Sequence, residues 1–217
     1  MTNNQPQPPS DRTRVRRIAE NARYDRATLH AIIDAAYLCH VAFADDKGTH
    51  CIPTACWREG EYLYIHGSNG GRLMKLLHKG VQACVTLTHL DGLVLARSAF
   101  NHSMNYRSAM VYGSFEWVQD KSGALAAFME HIAAGRLADV RAGNAKEFAA
   151  TTVMRIALTE AACKVRSGGP LDDDDDLQSP AWVGVLPVAL VPMPAVADPT
   201  CTTAAPTYVQ QWGASKG

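Results

Sequence analysis

The chain of 217 residues lacks the short motifs that identify several common kinds of site. Its six cysteines form no CxxC pair and its eight histidines no HExxH pair, so a metal site has little support. The one glycine-rich turn between a predicted strand and a predicted helix is neither a P-loop nor a GxGxxG motif. We therefore expect no bound metal ion, and any phosphate site must be argued from individual residues.

The sequence also lacks an excess of either charge and a long apolar run. Its 21 basic residues balance 21 acidic ones, so no overall field attracts the protein to nucleic acid or to a membrane. It has no run of about 18 apolar residues that would span a bilayer. The first residues lack the apolar core of a signal peptide. Because the cysteines lie mostly in apolar strands, they fit buried, reduced thiols, and we expect a cytoplasmic protein.

What the chain does contain is a series of short apolar strands. Most successive strands are separated by only a few residues, with helices at a few points, and this pattern favours a small antiparallel barrel over a Rossmann sheet. A turn at Asp91–Gly92 separates two of the strands, and residues 101–108 form a polar loop. The predicted strands are 37–44, 49–58, 61–66, 81–89, 93–100, 109–118 and 151–158. The predicted helices are 26–36, 72–78, 122–134 and 145–150.

Composition divides the chain into three parts. Residues 1–24 are polar and basic and are predicted to be a partly disordered arm. Residues 25–188 form the barrel domain and include an acidic loop at 168–181, where a run of five aspartates stays solvated. Residues 189–217 are rich in Pro, Ala and Thr, which predicts a flexible tail.

The stretch from Tyr62 to Leu77 passes from a strand through a glycine-rich turn into a helix. Such a turn directs free backbone N–H groups toward one point, where an anion can bind. Arg72 can bind a phosphate through two parallel hydrogen bonds, and Lys75 adds a positive charge. Two interpretations remain open from these residues alone, a phosphate site and an ordinary strand–turn–helix with solvated basic residues.

Four segments, taken in order, resemble a known family. They are the turn His66-Gly67-Ser68 leading to Arg72, the strand segment Ile52-Pro53-Thr54, the loop Asn105-Tyr106-Arg107-Ser108, and Trp182-Val183-Gly184-Val185-Leu186-Pro187. Together they resemble the FMN-binding split-barrel family related to pyridoxamine 5′-phosphate oxidase, in its nitroimidazole-resistance (NimA-like) branch. The resemblance covers about residues 17–188.

The resemblance implies a mainly β fold with helices, a six-stranded antiparallel split barrel. It also implies a homodimer that holds FMN in two clefts at the subunit interface. Arg72 matches the arginine that binds the cofactor phosphate, and many relatives have serine where this chain has Gly71. That change removes one hydroxyl donor, worth about 1 kcal/mol. The residues implied to line the FMN site are Ile52, Pro53, Thr54, His66, Gly67, Ser68, Gly71, Arg72, Asn105, Tyr106, Arg107 and Trp182.

The function implied is an FMN-dependent oxidoreductase that reduces a small aromatic or heterocyclic acceptor, as a nitroreductase does. The alternatives are a flavin- or haem-binding module without turnover and a pyridoxamine 5′-phosphate oxidase. His66 is the candidate catalytic residue, as a proton donor, and a structural role in the turn is the competing interpretation. Arg107 fits either an ion pair or a cofactor anchor.

Overall fold

The computed structural model describes residues 7–213, and strands dominate it. We number the helices α1–α5 and the strands β1–β10 in chain order. The helices are Arg26–Asp34, Arg72–His78, Lys121–Ile132, Ala145–Ala150 and Thr207–Gln210. The strands are Ala22–Arg23, Leu38–Asp45, Gly48–Glu59, Tyr62–Ser68, Gln82–Leu95, Ser103–Ser114, Glu116–Trp117, Thr151–Ala157, Ala161–Arg166 and Gly184–Pro187.

All strand pairs are antiparallel, in the order β1-β9-β6-β5-β2-β3-β4-β8-β7, and β10 pairs with β5. The long strand β3 joins two parts of the sheet, because residues 48–55 pair with β2 and residues 56–59 pair with β4. The predicted class, a mainly antiparallel split barrel with few helices, is therefore confirmed. The described residues contain ten strands and not six, and two of the ten have only two residues.

Buried and exposed side chains alternate along the strands, and this alternation explains where the core lies. In β2, Cys39, Val41 and Phe43 are buried while Leu38 and His40 are exposed, as a strand with one buried face requires. The inward side chains form the main core together with α1 and α2. A second core lies between Trp57, Tyr64 and Val153 on one side and α3 on the other.

The prediction of a turn at Asp91–Gly92 is wrong, because β5 continues through it to Leu95. The pairing of β5 with β6 shifts register between Leu90 and Gly92, which is a bulge. Glycine is required at position 92 because Val185 approaches the backbone closely, and a Cβ would lie 2.8 Å from Val185 Cγ1. The glycine that indicated a turn in the sequence instead lets β10 pack against β5.

The polar loop predicted at 101–108 is also wrong in extent, because β6 begins at Ser103. Its polar side chains alternate across a strand whose partners are β5 and β9. Strand β9, Ala161–Arg166, was not predicted. The helix over 72–78 is confirmed at both ends.

The segments on either side of the barrel contact it within the described residues. Ser10 Oγ donates to Glu160 at 2.7 Å, and the β1 residues Ala22 and Arg23 pair with β9. In the acidic loop, Asp172 accepts hydrogen bonds from the backbone N–H and guanidinium of Arg97. The outer parts of the predicted arm and tail, residues 1–6 and 214–217, lie outside the described residues. No helix in the described range 7–213 is long and apolar enough to cross a membrane.

Candidate functional site

The turn between β4 and α2 is closed by hydrogen bonds within it. The Gly71 N–H donates to the Ser68 carbonyl at 2.9 Å, and the Gly70 N–H donates to Ser68 Oγ at 3.3 Å. A Cβ at Gly71 would lie 3.0 Å from the Ser68 carbonyl oxygen, and a Cβ at Gly67 would lie 3.0 Å from Met74 Cε. Both glycines therefore allow a compact turn that delivers Arg72 as the first residue of α2.

Arg72 forms an ion pair across the barrel end. One of its terminal nitrogens donates to Asp45 Oδ2 at 2.6 Å and also contacts His50 Nε2. His50 Nε2 lies 2.9 Å from Asp45 Oδ1. The hydrogen bond from Arg72, and then that from His50, lower the pKa of Asp45 below its usual range, so this carboxylate is ionised at neutral pH.

The ion pair leaves Arg72 able to hold an anion as well. A guanidinium has five N–H donors in a fixed planar arrangement, and within the described residues only one terminal nitrogen of Arg72 is engaged. The Arg72 side chain is 48% exposed. Asp45 and His50 were not predicted as site residues, because the sequence Asp45-Asp46-Lys47-Gly48 indicated only a hairpin turn.

His66 occupies an aromatic environment at the end of β4. Its ring centroid lies 4.6 Å from that of Phe128 and 5.9 Å from that of Trp57. Its Nδ1 is buried and has no hydrogen-bond partner among the described residues. Burial lowers the pKa of His66, so the imidazole is neutral at pH 7. A neutral ring packed against two aromatic side chains suits apolar contact, and the predicted role as proton donor stays a prediction.

The segment Ile52-Pro53-Thr54 lies on β3 with alternate exposure. Ile52 packs against the main core, and Pro53 is exposed on the outer face. Along the sheet, Pro53 aligns with His40 of β2, then with β5, and then with Met110 of β6. Three strand spacings of about 4.8 Å put β3 and β6 about 14 Å apart. Within one chain, Ile52–Thr54 and Asn105–Arg107 therefore lie on strands that are not neighbours.

The three predicted residues of β6 have partners inside the chain. Asn105 is 8% exposed, donates to the Gly168 carbonyl at 3.0 Å and accepts from Arg166. Arg107 binds Asp91 through two parallel hydrogen bonds of 2.8 and 2.9 Å. The structure therefore agrees with the ion-pair interpretation of Arg107. Tyr106 is half-buried and lies opposite Arg166 in the β6–β9 register.

Trp182 lies before β10 and remains 65% exposed. Its ring lies against Gly184 of the same segment, where a Cβ would meet the indole at 2.7 Å. The described part of the chain brings together the β4–α2 turn, Asp45 and His50. Among the described residues, Asn105 and Arg107 bond to other partners, and Trp182 packs on its own segment.

Comparison with known proteins identifies the family of this split barrel. The family model described as pyridoxamine 5′-phosphate oxidase matches residues 25–165. The chain belongs to the pyridoxamine 5′-phosphate oxidase family. The family predicted from the sequence is thereby confirmed.

Two solved members of this fold are similar over nearly their whole length. The flavocytochrome Anf3 from Azotobacter vinelandii is 40% identical, with a TM-score of 0.91, over 95% of this chain and 99% of that one. The FAD and haem binding protein from Mycobacterium smegmatis is 34% identical, with a TM-score of 0.86, over 89% of this chain and 97% of that one.

A third structure is similar in fold alone. It is a proposed 5-nitroimidazole antibiotic resistance protein from Bacteroides thetaiotaomicron, 24% identical, with a TM-score of 0.55, over 66% of this chain and 86% of that one. No curated protein sequence matches the chain.

Proposed function

We propose that this family member binds a flavin and a haem and acts in electron transfer between them. The observation that carries the proposal is the similarity to two solved proteins, one a flavocytochrome and one an FAD and haem binding protein, over nearly all of both chains. Similarity this extensive includes the segment after residue 165, where the family model ends.

For the flavin we favour FAD. The sequence resemblance implied FMN instead. The name of the 34% identical relative supports FAD. Both flavins carry a phosphate on the ribityl chain, and Arg72 fits this group because it keeps free N–H donors on an exposed guanidinium. Asp45 works against phosphate binding, because its carboxylate competes with the phosphate for the Arg72 guanidinium.

The residues of this chain would hold the flavin and shape its surroundings. Arg72 would bind the phosphate, and the compact turn from Gly67 to Gly71 would let the cofactor approach the backbone closely. His66 would lie beside it, held in place by Phe128 and the buried Trp57. When bound, a flavin exchanges one or two electrons and a haem exchanges one.

A catalytic function is the second candidate. The fold is shared with a proposed nitroimidazole resistance protein, which supports reduction of a small aromatic or heterocyclic acceptor by a nicotinamide nucleotide or a reductase. Oxidation of pyridoxamine 5′-phosphate has less support, because the sequence shows no basic set for a second, substrate phosphate.

We also propose a homodimer with the cofactors near its interface. The outer faces of β2, β5 and β6 expose apolar side chains, with Leu38 60% and Met110 40% exposed. Strands β2 and β5 lie between β3 and β6, and a partner subunit would place a second copy of one of them across a shared cleft. Trp182, uncovered in the single chain, can be buried by such a partner.

Absorption spectroscopy of the purified chain tests the proposal. We expect the bands of a bound flavin together with a Soret band, and release by heat followed by chromatography should yield FAD and not FMN. Protein that stays colourless after incubation with FAD and hemin would refute it. Anaerobic addition of NADH or NADPH then separates the candidates, because a self-sufficient reductase bleaches its flavin and an electron carrier needs a partner.

A further inference from the structure

A small cavity is bounded by α2, the first residue of α3 and the strands β7 and β8. Its volume is about 340 Å³, which is within the usual size range of ligand sites. We call it the lysine cavity, because Lys75 of α2 and Lys121 of α3 both line it. Arg72 is not among its lining residues, so the cavity uses other side chains than the proposed flavin-phosphate site.

Positive charge dominates the lysine cavity. No Asp or Glu lines it, and among residues 7–213 neither Lys75 nor Lys121 has an ion-pair partner. Lys121 Nζ donates to the Phe148 carbonyl at 3.1 Å, which uses one of its three N–H donors. Asp120 lines the two neighbouring cavities, and its carboxylate accepts the Gly123 N–H at 3.0 Å. The charges in the lysine cavity therefore favour an anionic ligand.

Trp117 gives the lysine cavity an aromatic wall. It lies on β7 opposite Met154 of β8 and remains 52% exposed. His78 of α2 packs against it nearly at right angles, with ring centroids 6.0 Å apart. This contact supports the indole from one side and leaves about half of the residue open to a flat ring. A ligand that combines an anionic group with an aromatic ring thus matches the cavity.

Two ammonium groups with no acid beside them suit a phosphate monoester. A monoester carries a charge of about −1.5 to −2 at neutral pH and has three acceptor oxygens. Lysine binds such a group as a compact point charge. Among the nucleotides that a flavoprotein uses, NADPH has a monoester on the ribose next to its adenine, whereas NADH and FAD have none.

We infer that the lysine cavity binds the adenosine 2′-phosphate end of NADPH. The phosphate contacts Lys75 and Lys121, and the adenine stacks on Trp117. The choice of NADPH as the ligand rests on the proposed function, since a flavoprotein needs a source of electrons. Asn69 shapes the cavity without binding the ligand, because it already donates to the Ala149 carbonyl and accepts from Thr152 at 2.7 Å.

The experiment titrates the full, flavin-loaded chain with NADP⁺ and with NAD⁺ in a calorimeter, because the oxidised nucleotides do not reduce the flavin. We expect NADP⁺ to bind about tenfold or more tightly than NAD⁺. Lys75→Gln and Lys121→Gln should each weaken NADP⁺ binding about 10- to 100-fold and leave NAD⁺ binding unchanged. Glutamine at position 121 can still donate to the Phe148 carbonyl. Lys79→Gln is the matched control, because Lys79 is exposed at the end of the same helix and does not line the cavity.

Trp117 provides a second test, because the adenine is common to both nucleotides. Trp117→Ala should weaken NADP⁺ and NAD⁺ alike, by about 5- to 100-fold, and Trp117→Phe should restore part of the affinity. Melting temperature and flavin content are measured on every variant, so weaker nucleotide binding with flavin retained identifies a local effect.

Three results would overturn the lysine cavity as a nucleotide site. They are equal affinity of the wild-type chain for NADP⁺ and NAD⁺, unchanged NADP⁺ binding in both lysine variants, and loss of flavin from those variants. A wild-type chain that holds flavin but binds no NADP⁺ would overturn this inference and leave the flavin proposal standing. A wild-type chain that binds no flavin would overturn the proposed function.

Discussion

At the scale of single residues, Arg72 and Asp45 determine how well the β4–α2 turn can hold a phosphate. The arginine supplies the donors, and the carboxylate 2.6 Å away offers it an internal partner. Because Asp45 is ionised at neutral pH, a phosphate must share the guanidinium with it. The sequence alone predicted the arginine and its place at the start of α2. It could not predict Asp45, which reaches Arg72 only when the β2–β3 hairpin folds against the turn.

We predict that Arg72→Ala weakens flavin binding about 10- to 100-fold, the loss of one charge-assisted hydrogen bond of about 1.5–3 kcal/mol. Asp45→Asn should strengthen binding, because it removes the competing negative charge. Titration of apoprotein with FAD, followed by flavin fluorescence, measures both. Lys75→Ala serves as the control for loss of a positive charge on the same helix. Equal affinity in wild type and Arg72→Ala would show that the phosphate binds elsewhere.

His66 gives a prediction about stability and pH. Its pKa is lowered by burial in the folded state, so the unfolded chain binds the proton more readily. The His66 contribution to stability therefore declines as pH falls below about 6.5, the ordinary pKa of histidine. Phenylalanine removes both this titration and the unpartnered Nδ1. We expect His66→Phe to raise the free energy of unfolding by about 1 kcal/mol at neutral pH and by more at lower pH.

Urea unfolding of wild type and His66→Phe, at about pH 7.5 and about pH 5.5, measures this difference. A His66→Phe variant that is less stable than wild type at both values would show that the imidazole has a partner in solution. If the variant is stable and binds flavin but no longer reduces an acceptor, the predicted catalytic role of His66 gains support.

At the scale of elements, residues near in sequence determined most of what could be predicted. Helix α2 was predicted to begin at Arg72 and to end near His78, because the glycines before Arg72 and the spacing of Leu73, Leu76 and Leu77 are local signals. Strand β5 was predicted as two strands, because Asp-Gly usually marks a turn. Glycine is needed at position 92 because Val185 packs against it. Val185 lies on a strand far along the chain, so the local sequence pattern around Gly92 cannot show this contact.

This bulge leads to a prediction for β10. In Gly92→Ala, the new Cβ would lie 2.8 Å from Val185 Cγ1 and 3.1 Å from the Leu186 carbonyl oxygen, so β10 must shift. We expect a loss of about 1–3 kcal/mol in stability, the usual cost of overpacking. Amide hydrogen exchange should show the loss of protection concentrated in residues 184–187.

Gly169→Ala is the matched control, because its Cβ would meet nothing within 4 Å and the substitution adds the same methyl group. Val185→Ala, combined with Gly92→Ala, should restore part of the lost stability by removing one of the two contacts. Equal exchange rates in Gly92→Ala and wild type would mean that β10 does not pack on the bulge in solution.

At the scale of the whole molecule, the predicted site residues do not meet within one chain. The β4–α2 turn, the β6 residues and Trp182 were grouped by family resemblance, which preserves order along the sequence and says nothing about distance. The strand order separates β3 from β6 by β2 and β5. The proposed dimer would bring two copies of these segments together, and the exposed outer face of these strands is the surface on which the second chain would pack.

The last prediction tests that surface. Leu38 and Met110 lie on the outer face of the sheet, 60% and 40% exposed, and a charge at either position would be buried in the proposed dimer. Because a buried unpaired charge is costly, we expect Leu38→Asp and Met110→Glu to yield monomers at micromolar concentration. Leu177→Asp, at a position 48% exposed in the acidic loop, should leave the dimer intact. Sedimentation measures the mass, and flavin should dissociate together with the dimer if both subunits build the cleft; a wild-type monomer that binds flavin would refute the shared site.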